Sequence, residues 1–226
     1  MKKTIIAASL VATLVSSVYG QGTVFFNNGN TTKISTNSVA GGAATGLTAA
    51  NTGVNGYYYA LFYSTTVTTV GGSTSGAVGS SGNYAFNDAG WTYAGLGTNS
   101  GTAGRFASTT ADAASVTQVG GVAGGTSANF VVIGWSANIG STLNALTTWY
   151  NNGNPSTLGW IGEGVVGSAA PGILNSTPTA SLFGTGAGLI QGFTLGQVSP
   201  VIIPEPTTLA LAGLGGASLL LFRRRK

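Results

Sequence analysis

The sequence predicts an all-β protein: a single β-sandwich-like domain with one short helix, flanked by an N-terminal signal helix and a C-terminal transmembrane helix. Three observations lead there. Short aromatic and β-branched runs alternate with clusters of Gly, Thr, Ser and Asn, the punctuation of strands and turns. Gly supplies 38 of 226 residues and charged residues only 5%, against about 7% and about 25% in ordinary soluble domains, so the chain is not built like a typical cytosolic enzyme. Hydrophobic residues make up 43% and the mean hydropathy is +0.32, which is enough apolar surface for a core and unlike a disordered chain.

Residues 1–20 form the first unit. Lys2 and Lys3 make a short basic start, Thr4 to Val18 is apolar and uncharged, and Val18 and Gly20 stand where a signal peptidase needs small residues, so the cut falls between Gly20 and Gln21. This unit predicts export. With no Cys in the chain, the exported fold must stand without disulfides.

Residues 21–200 form the β-rich body. Its clearest strand is Gly56 to Thr66, with Tyr57, Tyr59, Leu61 and Tyr63 on one face and Tyr58, Ala60 and Phe62 on the other. Both faces are apolar, which places it in a sheet covered on both sides. Ala128 to Ser136 has the same character, with Val131, Ile133 and Trp135 opposite Phe130 and Val132. Shorter strands are expected at Thr23–Asn27, Gly82–Phe86, Ser115–Val119, Leu158–Val166 and Phe193–Val198. One helix is expected after Ser141 as cap, with Leu143, Leu146, Trp149 and Tyr150 on one face and Asn152-Gly153 as its end; it would cover an edge or end of the sandwich. Residues 41–55, 71–82, 95–104 and 120–127 read as loops. A β-helix is the alternative fold, although no fixed-period repeat supports it.

Residues 201–226 form the third unit. Pro204 and Pro206 remove two backbone donors and restrain the residues before them, which keeps this point extended and accessible. Thr207 to Phe222 is an uncharged apolar run that spans about 24 Å as a helix, slightly less than a hydrocarbon core of about 30 Å. Arg223, Arg224, Arg225 and Lys226 follow as a basic anchor that holds the end on the cytoplasmic side of the inner membrane.

Pro204-Glu205-Pro206, the apolar run and the terminal basic cluster together resemble the PEP-CTERM sorting signal of Gram-negative, envelope-building bacteria. The resemblance implies that a membrane-embedded exosortase recognises Pro204, Glu205 and Pro206, cuts at or near them, and passes the body toward the cell surface. It also implies company with exopolysaccharide or biofilm matrix. The body is similar, more loosely, to other small exported proteins with this tail, in its Gly22-Thr23-Val24-Phe25-Phe26-Asn27 start, its Tyr59-Ala60-Leu61-Phe62-Tyr63 centre and its late Phe193-Thr194-Leu195. The expected partners are therefore the secretion machinery and signal peptidase, the exosortase, the inner membrane and an exopolysaccharide. A permanent tail anchor is the alternative reading of the same segment.

The isoelectric point of about 9.5 would suggest a nucleic-acid partner if the charge lay on the body. It does not: only Lys33 and Arg105 stand against Asp88, Asp112 and Glu163 between residues 21 and 200, so the phosphate-binding footprint is missing. The absence of His and Cys removes the commonest general base, zinc ligand and thiol nucleophile. No catalytic residue, metal or cofactor is expected. Asp88 in Asn87-Asp88-Ala89-Gly90 reads as a turn residue binding its own backbone. Gly162-Glu163-Gly164-Val165-Val166-Gly167 matches G-x-G-x-x-G, but Pro171-Gly172 follows where a helix should run, so a nucleotide fingerprint is rejected. Trp91, Tyr93, Trp149, Tyr150 and Trp160 could stack on sugar rings, with core packing as the default. A carbohydrate-binding module is therefore the second functional expectation.

Overall fold

A computed structural model of the chain describes residues 21–37, 45–50, 56–109, 116–152, 157–173, 178–199, 212 and 214. The signal segment, Pro204 to Pro206 and the basic end lie outside the described residues, as does the predicted transmembrane run except Ala212 and Leu214. Among the described residues no helix is long and apolar enough to cross a membrane.

The described chain is β-rich with one short α-helix, and its strands form two sheets. The elements are β1 (Gly22–Phe25), β2 (Ser35–Thr36), β3 (Gly46–Leu47), β4 (Tyr57–Ser64), β5 (Thr92–Asn99), β6 (Phe106–Ser108), β7 (Val116–Val119), β8 (Ala128–Ser136), α1 (Leu143–Asn151), β9 (Gly159–Glu163), β10 (Gly167–Ala169), β11 (Gly172–Ile173), β12 (Ala180–Ser181) and β13 (Thr194–Val198). The larger sheet runs β3-β2-β13-β9-β8-β4-β5-β6, with β10 also on β8; the smaller places β1 between β11 and β12 on one side and β7 on the other. Among the described strands only β1/β12 and β13/β2 pair in parallel. The prevailing antiparallel ladders do not fit a β-helix, whose coils stack parallel strands.

β4 and β8 are the centre of the large sheet, paired without interruption from Tyr57↔Ser136 to Ser64↔Asn129. Their alternation divides the core in two. Tyr59, Leu61, Phe130 and Val132 face Val24, Phe26 and Val119 of the small-sheet side. Ala60, Phe62, Val131, Ile133 and Trp135 face Tyr84, Trp91, Leu146 and Trp149, which come from the segment before β5 and from α1. The expectation that both central strands are covered on both sides is met.

The margins of the large sheet are drawn toward each other. Ile34 N–H donates to the Gly104 carbonyl at 2.9 Å, and Gly104 N–H to the Thr48 carbonyl at 2.9 Å. Buried Asn28 clamps the same corner: its amide donates to the carbonyls of Thr32 and Gly104, and its Oδ1 accepts from Phe106 N–H. Each Asn28 polar atom is thereby satisfied, as burial demands.

Several expectations need correction. Residues 82–86 do not form a strand; 3-10 turns at Gly79–Ser81 and Ala85–Asn87 occupy this region, because the chain lies over the sheet here instead of joining it. Residues 95–99 belong to β5, not to a loop. Gly95 and Gly97 disguise that strand, and Gly97 has a packing reason: a Cβ there would stand 3.1 Å from the Phe26 ring and 2.9 Å from the Ala107 carbonyl. Within the predicted 41–55 loop, Gly46–Leu47 pairs with β2. The helix is capped by Thr142, whose hydroxyl accepts from Ala145 N–H at 3.2 Å, and not by Ser141. It also covers a face of the large sheet rather than an edge, because buried Leu146 and Trp149 join the Ile133 and Trp135 cluster.

Candidate functional site

The sequence placed chemistry in three groups of residues: the carboxylates, the aromatics and the terminal segments. Asp88 sits at an exposed turn and binds backbone. Its Oδ1 accepts from Gly90 N–H and its Oδ2 from Gly71 N–H, both at 3.0 Å. These two amides, Gly71 first, lower its pKa below the usual carboxylate value. Gly71 adopts φ +54°, a left-handed conformation that suits glycine, so the aspartate fixes a turn that the sequence makes available. This is the turn role expected of it.

Glu163 ends β9 and is 2% exposed. Its Oε2 accepts from Ala85 N–H at 2.8 Å. Burial pushes its pKa up to about 8; the Ala85 bond opposes the shift and the Asp88 charge adds to it. The split between a raised and a lowered carboxyl is a pattern shared with acid/base pairs. Here, however, the Ala85 amide occupies the acid, and the backbone of Gly76 lies so close that a side chain at Gly76 would meet the Glu163 carbonyl. Glu163 thus fastens the covering segment to the sheet, a role its place in G-x-G-x-x-G did not suggest. Around it Gly162 and Gly167 lie in β9 and β10, and strand β11 follows at Gly172–Ile173 where a fingerprint would need a helix; Gly162 lets the Thr194 backbone pass where a Cβ would stand. Asp112 lies outside the described residues.

The five proposed sugar-contact aromatics do not make one platform. Trp91 is 7% and Trp149 8% exposed, and their indole N–H groups donate to the carbonyls of Thr69 and Thr157. Trp160 is partly buried and donates to the Asn37 carbonyl at 2.8 Å. Tyr150 stands edge-on to Tyr84 and Phe86 and donates to the Gly82 carbonyl at 2.7 Å. Tyr93, at 43% exposure, offers an open ring and meets Phe62 edge-on. Core packing and backbone bonding account for the other four.

Gln21 opens the described body and is exposed; Gly20 lies outside it. At the other end β13 delivers the chain to Ser199, five residues before Pro204. Residues 203–226 match the family model of the PEP-CTERM protein-sorting motif. The match contains Pro204, Glu205 and Pro206, the apolar run and Arg223 to Lys226, and it supports exosortase-dependent sorting of an exported protein whose precursor is membrane-anchored. No curated protein and no solved structure matches the chain.

Proposed function

We propose that this chain is an exported, non-catalytic protein of the cell surface or extracellular matrix, held in the inner membrane by its tail until an exosortase acts at Pro204-Glu205-Pro206. The observation that carries the reading is the match over residues 203–226. A stiff accessible point, an apolar span too short to be generous and a cationic stop follow one another there, and each serves handling by a membrane enzyme. The body supports a structural role by what its polar groups do: Asp88 and Glu163 bind backbone amides, and all four tryptophans pack in or against the cores while their N–H groups go to carbonyls. Signal peptidase would cut before Gln21, and an exopolysaccharide matrix is the proposed destination.

The test is a pulse-chase of the wild-type chain against Glu205→Ala and against deletion of Arg223 to Lys226. Slowed processing and retention of the precursor in the inner membrane are expected for both. Identical processing and location in all three chains would sink the sorting reading, and a wild-type chain that keeps its tail throughout would leave a permanent anchor in its place.

A further inference from the structure

A polar groove of about 460 Å³ opens where the segment leading into β2 meets the segment leading into β13. That volume lies in the range of small-ligand clefts, about 300–1,000 Å³, but its lining differs from the usual apolar one. Ser35 Oγ and Thr194 Oγ1 meet at 2.8 Å across the β2/β13 pair. Thr31, Thr185 and Gln191, all exposed, stand around it together with Lys33, and half-buried Phe193 supplies an apolar surface. The groove is kept by close backbone approach: a Cβ on Gly192 would collide with the Lys33 carbonyl.

Charge is placed unevenly about this groove. Lys33 is one of two cations among the described residues of the body, and the described acids Asp88 and Glu163 are bound to backbone amides elsewhere. Arg105, the other cation of the body, is at the neighbouring corner, donating to the Asn28 carbonyl at 3.1 Å; a Cβ on Gly104 would lie 2.9 Å from that of Lys33. Hydroxyls and an amide are matched to a polyhydroxylated ligand, Phe193 to the apolar face of a sugar ring, and one ammonium to one negative charge per residue. A single lysine without an arginine fork suits a carboxylate better than a phosphate.

We propose that this groove binds a short stretch of an acidic polysaccharide, with the uronate carboxylate on Lys33 and the ring hydroxyls on Thr31, Thr185, Gln191 and Thr194. The inference stands on the groove and not on the sorting segment, so either can fail alone. The test is calorimetric titration of the full chain in detergent micelles with a galacturonic acid tetramer and with a neutral glucose tetramer. Binding of the acidic tetramer is expected, about tenfold tighter than of the neutral one, since one charge-assisted bond separates them. Lys33→Gln should weaken it by about tenfold and Lys33→Arg should restore most of it. Thr185→Tyr, an exposed change that fills the groove, should abolish binding while thermal unfolding stays as in the wild type. No heat with the acidic tetramer, equal binding of the two tetramers, or binding untouched by both Lys33→Gln and Thr185→Tyr would overturn the proposal.

Discussion

The two faces of the large sheet are covered by different kinds of chain. One face lies under β1, β7, β11 and β12, strands that satisfy their backbone by pairing with one another. The other lies under residues 66–91 and α1, and most of that covering segment has no ladder of its own. Buried backbone polar groups must find partners, so side chains supply them: Glu163 to Ala85 N–H, Asp88 to Gly71 N–H, Tyr84 Oη to the Gly79 carbonyl, Tyr150 Oη to the Gly82 carbonyl, Trp91 to the Thr69 carbonyl and Asn129 to the Val67 carbonyl. On the loop-covered face, side chains thus take over the backbone pairing that neighbouring strands supply on the other. Burial also raises the pKa of Tyr84 and Tyr150 on that face.

If the strand-covered face depends on apolar packing, its largest loss comes from a ring. Phe106 touches Phe26 at 5.1 Å, Tyr59 at 4.3 Å and Phe183 at 5.4 Å between centroids. Phe106→Ala should cost about 3–5 kcal/mol in urea unfolding, with no dependence on pH. A cost under about 1 kcal/mol would mean that the site collapses and the face is less tightly packed than its contacts indicate.

The loop-covered face should respond to pH instead. Glu163 has a folded pKa of about 8 against 4.5 for the free group, so the folded chain holds a proton that the unfolded chain releases between these values. Its contribution is complete below pH 4.5, declines as pH rises toward 8, and stops changing above that. Glu163→Gln keeps an acceptor for Ala85 N–H and should flatten the decline between pH 5 and 8. Glu163→Ala at pH 5 should cost about 1–3 kcal/mol by leaving that amide unpaired. A wild-type stability that rises across this window would contradict the assignment.

Smaller effects separate the individual ties. Tyr150→Phe removes a partly exposed bond to the Gly82 carbonyl and should cost about 0.5–1.5 kcal/mol, visible as a lower thermal midpoint. Asp88→Asn should shift stability least, because the turn is exposed; its informative readout is the Glu163 titration, followed by carboxyl NMR, which should move to lower pH once the neighbouring charge is gone. An unmoved titration would remove Asp88 as a contributor.

Legibility in the sequence followed the same division. β4 and β8 were readable because apolar residues on both faces of a short run admit few placements, and α1 because Leu146 and Trp149 repeat at helical spacing. β5 was hidden by Gly95 and Gly97, which carry no face of their own; the need for Gly97 shows only in the Ala107 carbonyl and the Phe26 and Phe106 rings packed against it. Residues 82–86 resemble a strand in composition, yet their partners are side chains distant in sequence, such as Glu163. The sorting segment was legible for a different reason: a linear signal is read by its enzyme as order and spacing. The groove around Lys33 draws on residues about 150 positions apart, and no local pattern announces it.

Among the described residues β13 is the last strand in sequence and an inside strand in space, seated between β2 and β9. On the export route proposed above, the large sheet would keep a vacant slot between β2 and β9 until residues 194–198 have crossed. Only residues 199–203 then separate the slot-filling strand from Pro204, a reach of at most about 18 Å. On that route, closure of the sheet and arrival of the tail at the bilayer are consecutive events, and a body cut loose ahead of that strand would leave the cell with the gap between β2 and β9 unfilled.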